Sequence, residues 1–191
     1  MILGTGQRRV LEILRRQRSQ NSYFAGSLVI WPSLQRAPDD FDLHHHSWED
    51  LETALAADRK ALAAAGGEDL GLERLPREYQ GRHRIVSEIV EINWVLETAP
   101  LMLAPRCHPQ LGFALHPWDV IAKKLAMALE EDDPKHAADL AQLKAAGFPL
   151  DTLADHAVRL TQGLDREEAR RILDRLLAEL DRDARTSSAG R

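Results

Sequence analysis

The stretch Ser22-Tyr23-Phe24-Ala25-Gly26-Ser27, followed by Asp39-Asp40-Phe41-Asp42-Leu43-His44-His45-His46, decides how this chain is read. Residues 39–46 read as a strand, and on a strand alternate side chains share a face. Asp40 and Asp42 then project together, while Phe41 and Leu43 turn to a core. Two adjacent carboxylates repel unless a cation stands between them. A divalent ion such as Mg2+ takes oxygen ligands and keeps some of its water and phosphate ligands. Upstream, Gly26 permits close backbone approach. Ser27 adds a hydroxyl, and the N–H groups of a helix beginning at about residue 28 suit a phosphate. Each motif alone is common. In this order, with about a helix between them, they describe a turn that cradles a triphosphate and a strand that presents a metal.

A third carboxylate is expected from a neighbouring strand, to bind metal or to take the proton of an attacking hydroxyl. Residues 89–96 alternate, with Val90, Ile92 and Trp94 on one face and Glu91, Asn93 and Val95 on the other. Glu91 is the first candidate and Glu88 the second. In His44-His45-His46, only His44 and His46 share the face of Asp40 and Asp42, which places them at the mouth of a site rather than in a zinc centre.

Outward from this centre, residues 7–18 predict an amphipathic basic helix. Ser47 is the N-cap of a helix that Gly66-Gly67 ends. Residues 70–77 and 81–88 read as further strands, and 99–115 as an irregular, proline-containing connection. Helices are expected at 120–129, 133–146, 151–162 and 166–183, with a disordered tail at 184–191. The fold class is α+β: a small mixed sheet with flanking helices, then a C-terminal helical bundle. The core spans 1–115 and the helical region 116–183.

The Gly26-Ser27 and Asp40-Phe41-Asp42-Leu43 spacing, with the Glu91-Ile92-Asn93 strand, resembles the polymerase β-like nucleotidyltransferases. Asp119-Val120-Ile121-Ala122-Lys123-Lys124-Leu125 and Pro134-Lys135-His136-Ala137-Ala138-Asp139-Leu140 are similar to the AbiEii-type branch, the nucleotidyltransferase toxins of toxin–antitoxin systems. The resemblance covers about 23–143. It implies that Asp40, Asp42 and Glu91 bind Mg2+ or Mn2+, that Gly26 and Ser27 contact the phosphates of a nucleoside triphosphate, and that Lys124 reaches those phosphates with Asp139 as its brace. It also implies RNA, tRNA included, as acceptor, and an antitoxin protein as partner. The chain departs from the branch at Pro38 and Ile89, and Glu130-Glu131-Asp132-Asp133 stand where an arginine is expected. These departures support a rival reading, a degenerate binding module that holds nucleotide or a partner protein without turnover.

Composition narrows the field. The net charge of −5 argues against binding nucleic acid through overall charge, which favours a small-molecule or protein hydroxyl as acceptor over RNA. One cysteine, Cys107, rules out an intramolecular disulfide and fits a reducing compartment. No apolar run approaches the roughly 18 residues a membrane span needs, and the first 18 residues do not read as a signal peptide. A cytoplasmic protein is expected.

Overall fold

Strand β2 (Asp40–His45) alternates half-buried and buried positions, and this alternation organises the N-terminal half of the molecule. The computed structural model describes residues 3–131, 133–161 and 164–189. Phe41, Leu43 and His45 are buried on one face of β2, while Asp40, Asp42 and His44 occupy the other. On the core side lie α1 (Thr5–Leu14), which contributes Val10 and Leu14, and α3 (Trp48–Ala64), which contributes Leu51, Leu55 and Leu62. Each such fully buried aliphatic side chain contributes about 1.5–3 kcal/mol relative to exposure.

The remaining strands are β1 (Ser22–Phe24), β3 (Glu68–Leu75), β4 (Glu78–Ile85), β5 (Glu88–Leu96), β6 (Arg106–His108) and β7 (Gly112–Ala114). Among the described residues they form a seven-stranded mixed sheet in the order β3-β4-β5-β2-β1-β7-β6. Strand β2 runs parallel to β5, with Asp40 opposite Glu91 and Asp42 opposite Asn93, and antiparallel to β1. Helix α2 (Gly26–Ile30) follows β1 directly.

The first compact unit comprises Met1–Trp31, Arg36–Ala99 and Leu103–His116. The second contains Pro32–Gln35, Pro100–Met102 and Pro117–Arg191. Within it, α4 (Pro117–Glu130), α5 (Pro134–Ala145), α6 (Leu150–Leu160) and α7 (Arg166–Ala189) pack around Ile121, Leu125, Leu140, Leu143, Leu153 and Leu173. Asp133 caps α5 by accepting from the Lys135 N–H at 2.8 Å, with Pro134 at the first helical position. None of the described helices is long and apolar enough to cross a membrane.

The architecture is the mixed sheet with helices that the sequence predicts, with four corrections. The sheet is larger than expected, because 99–115 contains the β6–β7 hairpin; β7 joins β1 in parallel through Phe24 and Ala114. Three-residue strands carry too little alternation to read. Helix α2 begins at Gly26, two residues early, so Gly26 and Ser27 lie in its first turn. Residues 81–88 are not one strand: the chain turns between β4 and β5 at Val86, whose φ of 58° is rare for a β-branched residue. Helix α7 continues through Ala189, so 184–189 is helical where a disordered tail was expected, in keeping with the low cost of lengthening an existing helix. Residues 190 and 191 lie outside the described residues.

A buried polar hub ties the first unit together. Arg18 donates to Asp58 on α3, to the Ser22 hydroxyl at 2.9 Å and to the Leu14 carbonyl at 3.0 Å. Trp94 Nε1 donates to the other Asp58 oxygen at 2.9 Å, and Ser22 Oγ lies 3.0 Å from His45 Nε2. Burial pushes the Asp58 carboxyl up and the Arg18 guanidinium down, and their mutual attraction opposes both shifts. Removing one partner leaves the other charge buried and alone. Asp58→Ala is therefore expected to destabilise the protein by about 3–5 kcal/mol, read as a fall in the urea midpoint; a loss under about 1 kcal/mol would show the hub to be dispensable.

Candidate active site

Asp40 and Asp42 share the open face of β2, and the neighbouring strand answers them with an amide. Asn93 Nδ2 donates to Asp40 Oδ2 at 3.0 Å and to Asp42 Oδ1 at 3.1 Å. Two donors on one nitrogen thus stand between two acceptors that repel each other. Burial, then the Asp42 carboxylate, pushes Asp40 up to about 6; the Asn93 bond opposes the shift, while Glu91 and Asp39 add to it. The parallel β2–β5 register builds this contact, because it sets Asp42 beside Asn93 and Asp40 beside Glu91.

Gly26 is pressed against this pair. Its φ is +60°, and a Cβ built on it would fall 1.8 Å from Asp42 Oδ2. The Ala25 N–H donates to the Asp42 carbonyl at 2.9 Å, which brings the start of α2 against β2. Ser27, the next residue, accepts a hydrogen bond from Arg36 Nη2 at 3.2 Å, and Arg36 also pairs with Asp39 at 3.2 Å. Sequence reasoning missed Arg36; its signal was a cation placed four residues before Asp40. It also gave Asn93 no role, although Asn93 alternates with Glu91.

Glu91 is half-buried beside Asp40, and its charge acts on Asp40. Glu88 serves elsewhere, since its two oxygens accept from the Thr5 and Gly6 N–H groups, both at 2.9 Å, and cap α1. His44 Nδ1 lies 2.8 Å from Glu97 Oε2 on the face of Asp42. His45 points into the core, where burial, then Arg18 and His44, lower it to about 3, so it stays neutral.

In the second unit, Lys124 and Asp139 are brought together. Lys124 Nζ donates to Asp139 Oδ2 at 2.7 Å, with both side chains almost fully buried between α4 and α5. Such a pair holds the ammonium in one place. His136 Nε2, also buried, lies 2.9 Å from Glu131 Oε2.

Among the described residues no group of three His, Cys, Asp or Glu side chains is arranged to hold a metal ion. Asp40 and Asp42 offer two carboxylates, which suits a hard divalent ion that takes its remaining ligands from water and phosphate. The cost of ionising Asp40 beside Asp42 is the strain that such a cation would relieve.

Two substitutions test this geometry. The Asp40 carboxyl is raised above its unfolded value, so the folded state holds the proton more tightly. Its contribution to stability is full below the unfolded value of about 3.8 and is lost as pH rises through about 6. Asp40→Asn should raise the melting temperature of metal-free protein at pH 7.5 by about 2–4 °C and flatten its change between pH 5 and 7, as read by calorimetry; a lowered melting temperature contradicts the assignment. Gly26→Ala should displace Asp42 or α2 and cost about 1–3 kcal/mol in urea unfolding.

No protein-family model matches the chain, and no curated protein matches it. Among solved structures, it is similar to MenT4, a nucleotidyltransferase toxin from Mycobacterium tuberculosis, with a TM-score of 0.60 and 17% sequence identity. The similarity covers 80% of this chain and 61% of that one, so the chain spans under two thirds of its neighbour's length. With its α+β architecture, the chain has the fold of a nucleotidyltransferase toxin.

Proposed function

We propose that this protein is a metal-dependent nucleotidyltransferase, moving a nucleotidyl group from a nucleoside triphosphate to an acceptor hydroxyl. The observation that carries the reading is the Asp40–Asp42 pair, bridged by Asn93 and closed on one side by Gly26. Similarity of fold to a nucleotidyltransferase toxin supports it.

Asp40 and Asp42 hold Mg2+ or Mn2+, which supplies charge neutralisation on the triphosphate and polarises the α-phosphate. Gly26, having no side chain, lets the first turn of α2 come close against Asp42, with its backbone near the triphosphate. Ser27 and Arg36 bind the departing end of the triphosphate through a hydroxyl and a cation. Glu91, beside Asp40, takes the proton of the acceptor hydroxyl. The oxygen of that hydroxyl bonds to the α-phosphorus as the bond to the pyrophosphate breaks.

The resemblance to AbiEii-type toxins extends the reading to RNA, tRNA included, as acceptor, with an antitoxin protein as partner. A second reading, transfer to a small hydroxyl compound, is favoured by the net charge of −5.

The test is incubation with each α-labelled nucleoside triphosphate and Mg2+, with bulk RNA and separately with small polyols and nucleotides. Pyrophosphate release and transfer of label are followed. Asp40→Asn and Asp42→Asn should each reduce transfer by about a hundredfold or more. Label on RNA selects the toxin reading, and label on a small compound selects the second. A folded wild type that binds no nucleotide with Mg2+ would refute both.

A further inference from the structure

Asn93 does more than bridge two carboxylates. It is 6% exposed, and its amide nitrogen is committed to Asp40 and Asp42. This double donation fixes which way the amide faces, because turned over it would set its oxygen against two carboxylates. The oxygen, Oδ1, is buried and has no hydrogen-bond partner among the described residues. A buried acceptor without a donor calls for an explanation, and a donor brought by a ligand supplies one.

The neighbouring strand adds to the case. On β4, Gln80 stands opposite Asn93 and Arg82 stands opposite Glu91. Gln80, Arg82 and Glu91 line a cavity of about 260 Å3 with Gly71, Leu72 and Glu73. Arg82 is exposed and its guanidinium makes no ion pair or hydrogen bond among the described residues, although Glu91 lies across the strand from it. Arg84, two residues on and on the same face, is already tied to Glu68. Arg82 is therefore a cation available beside the site.

Strand order gives the two sides of β2 different roles. Gly26 and Ser27 follow β1, on one side; Glu91, Asn93, Gln80 and Arg82 belong to β5 and β4, on the other. In an in-line displacement the attacking oxygen enters opposite the leaving group. With pyrophosphate held on the β1 side, the acceptor comes over β5 and β4.

We infer that the open face of β5 and β4 is the acceptor subsite: Glu91 faces the attacking hydroxyl, Asn93 Oδ1 accepts a hydrogen bond from a second, neighbouring hydroxyl of the acceptor, and Arg82 binds a phosphate group that the acceptor carries. The inference rests on the nucleotidyltransferase reading and goes beyond it by stating the acceptor's chemistry. The attacking hydroxyl oxygen bonds to the α-phosphorus, its proton passes to the Glu91 carboxylate, and pyrophosphate leaves with the electron pair of the broken P–O bond. Arg82 and Asn93 are diagonal neighbours on adjacent strands, about 7–8 Å apart, a reach that a ribose and its phosphate span. A sugar hydroxyl with a nearby phosphate comes from two sources, the 3′ end of an RNA strand or a small sugar phosphate.

Isothermal titration of the full chain with ribose 5-phosphate, and with a short single-stranded RNA bearing a free 3′-hydroxyl, tests the subsite. Mg2+·nucleoside triphosphate is titrated separately against wild type and Asp40→Asn. Wild type is expected to bind at least one probe. Arg82→Ala should raise that Kd about tenfold or more, while Arg82→Lys recovers most of the loss and nucleotide affinity stays within about twofold. Binding of RNA alone assigns the subsite to a strand end; binding of ribose 5-phosphate assigns it to a small acceptor. The inference is overturned if neither probe binds, or if Arg82→Ala binds as tightly as wild type, while nucleotide binding still needs Asp40. Nucleotide binding that does not need Asp40 overturns the underlying reading, and the acceptor assignment with it, whatever the probes do.

Discussion

The contact between Arg18 and Asp58 constrains everything in front of it. Both side chains are out of water, which is tolerable only because each group has several partners. The guanidinium reaches Asp58, Ser22 and the Leu14 carbonyl, and the carboxylate also receives Trp94. The hub therefore joins the end of α1, strand β1, helix α3 and strand β5. With Trp94 fixed from behind, β5 lies in one register against β2, and Asn93, the residue before Trp94, is delivered to the opposite face. Ser22 holds His45 in the same way, and the alternation of β2 then directs His44 and Asp42 outward.

The front of the sheet is built against its own stability. Asp40 and Asp42 are set together, partly buried, with one amide as mediator, and Asp40 holds its proton into the range around pH 6 as a result. Functional sites commonly break local rules in this way, with the cost met by the surrounding fold. Gly26 belongs to the same arrangement, since only a residue without a side chain fits between the start of α2 and Asp42. The two sides of β2 are unlike, with hydroxyl and backbone on the β1 side, and carboxylate, amide and a free guanidinium towards β4.

Much of this was legible because strand alternation is a strict rule. Asp40 and Asp42 could be placed on one face from sequence alone, and so could Glu91 and Asn93. The caps at Ser47 and Asp133 were equally readable, since a side-chain oxygen ahead of an apolar helix has few other uses. Which strand meets which is a long-range fact that spacing does not encode. The bond from Asn93 to both aspartates thus went unseen, as did the Arg36–Ser27 contact. Glu88 lost its candidacy for the same reason: its capping partners, Thr5 and Gly6, lie more than eighty residues away in sequence. The β6–β7 hairpin escaped because its strands are too short to show a period, and α7 outran its expected end because its polar composition resembles that of a tail.

Strand β2 stands fourth in the seven-strand order, with three strands to one side and three to the other. A middle strand cannot detach without breaking two ladders at once, so its amides open to solvent only when the whole unit unfolds. The amides of Asp40–His45 should therefore be among the slowest in the protein to exchange hydrogen for deuterium, while both edges of the sheet breathe. The two carboxylates are thus anchored in the part of the molecule that moves least. Any adjustment a substrate requires falls to the elements around them.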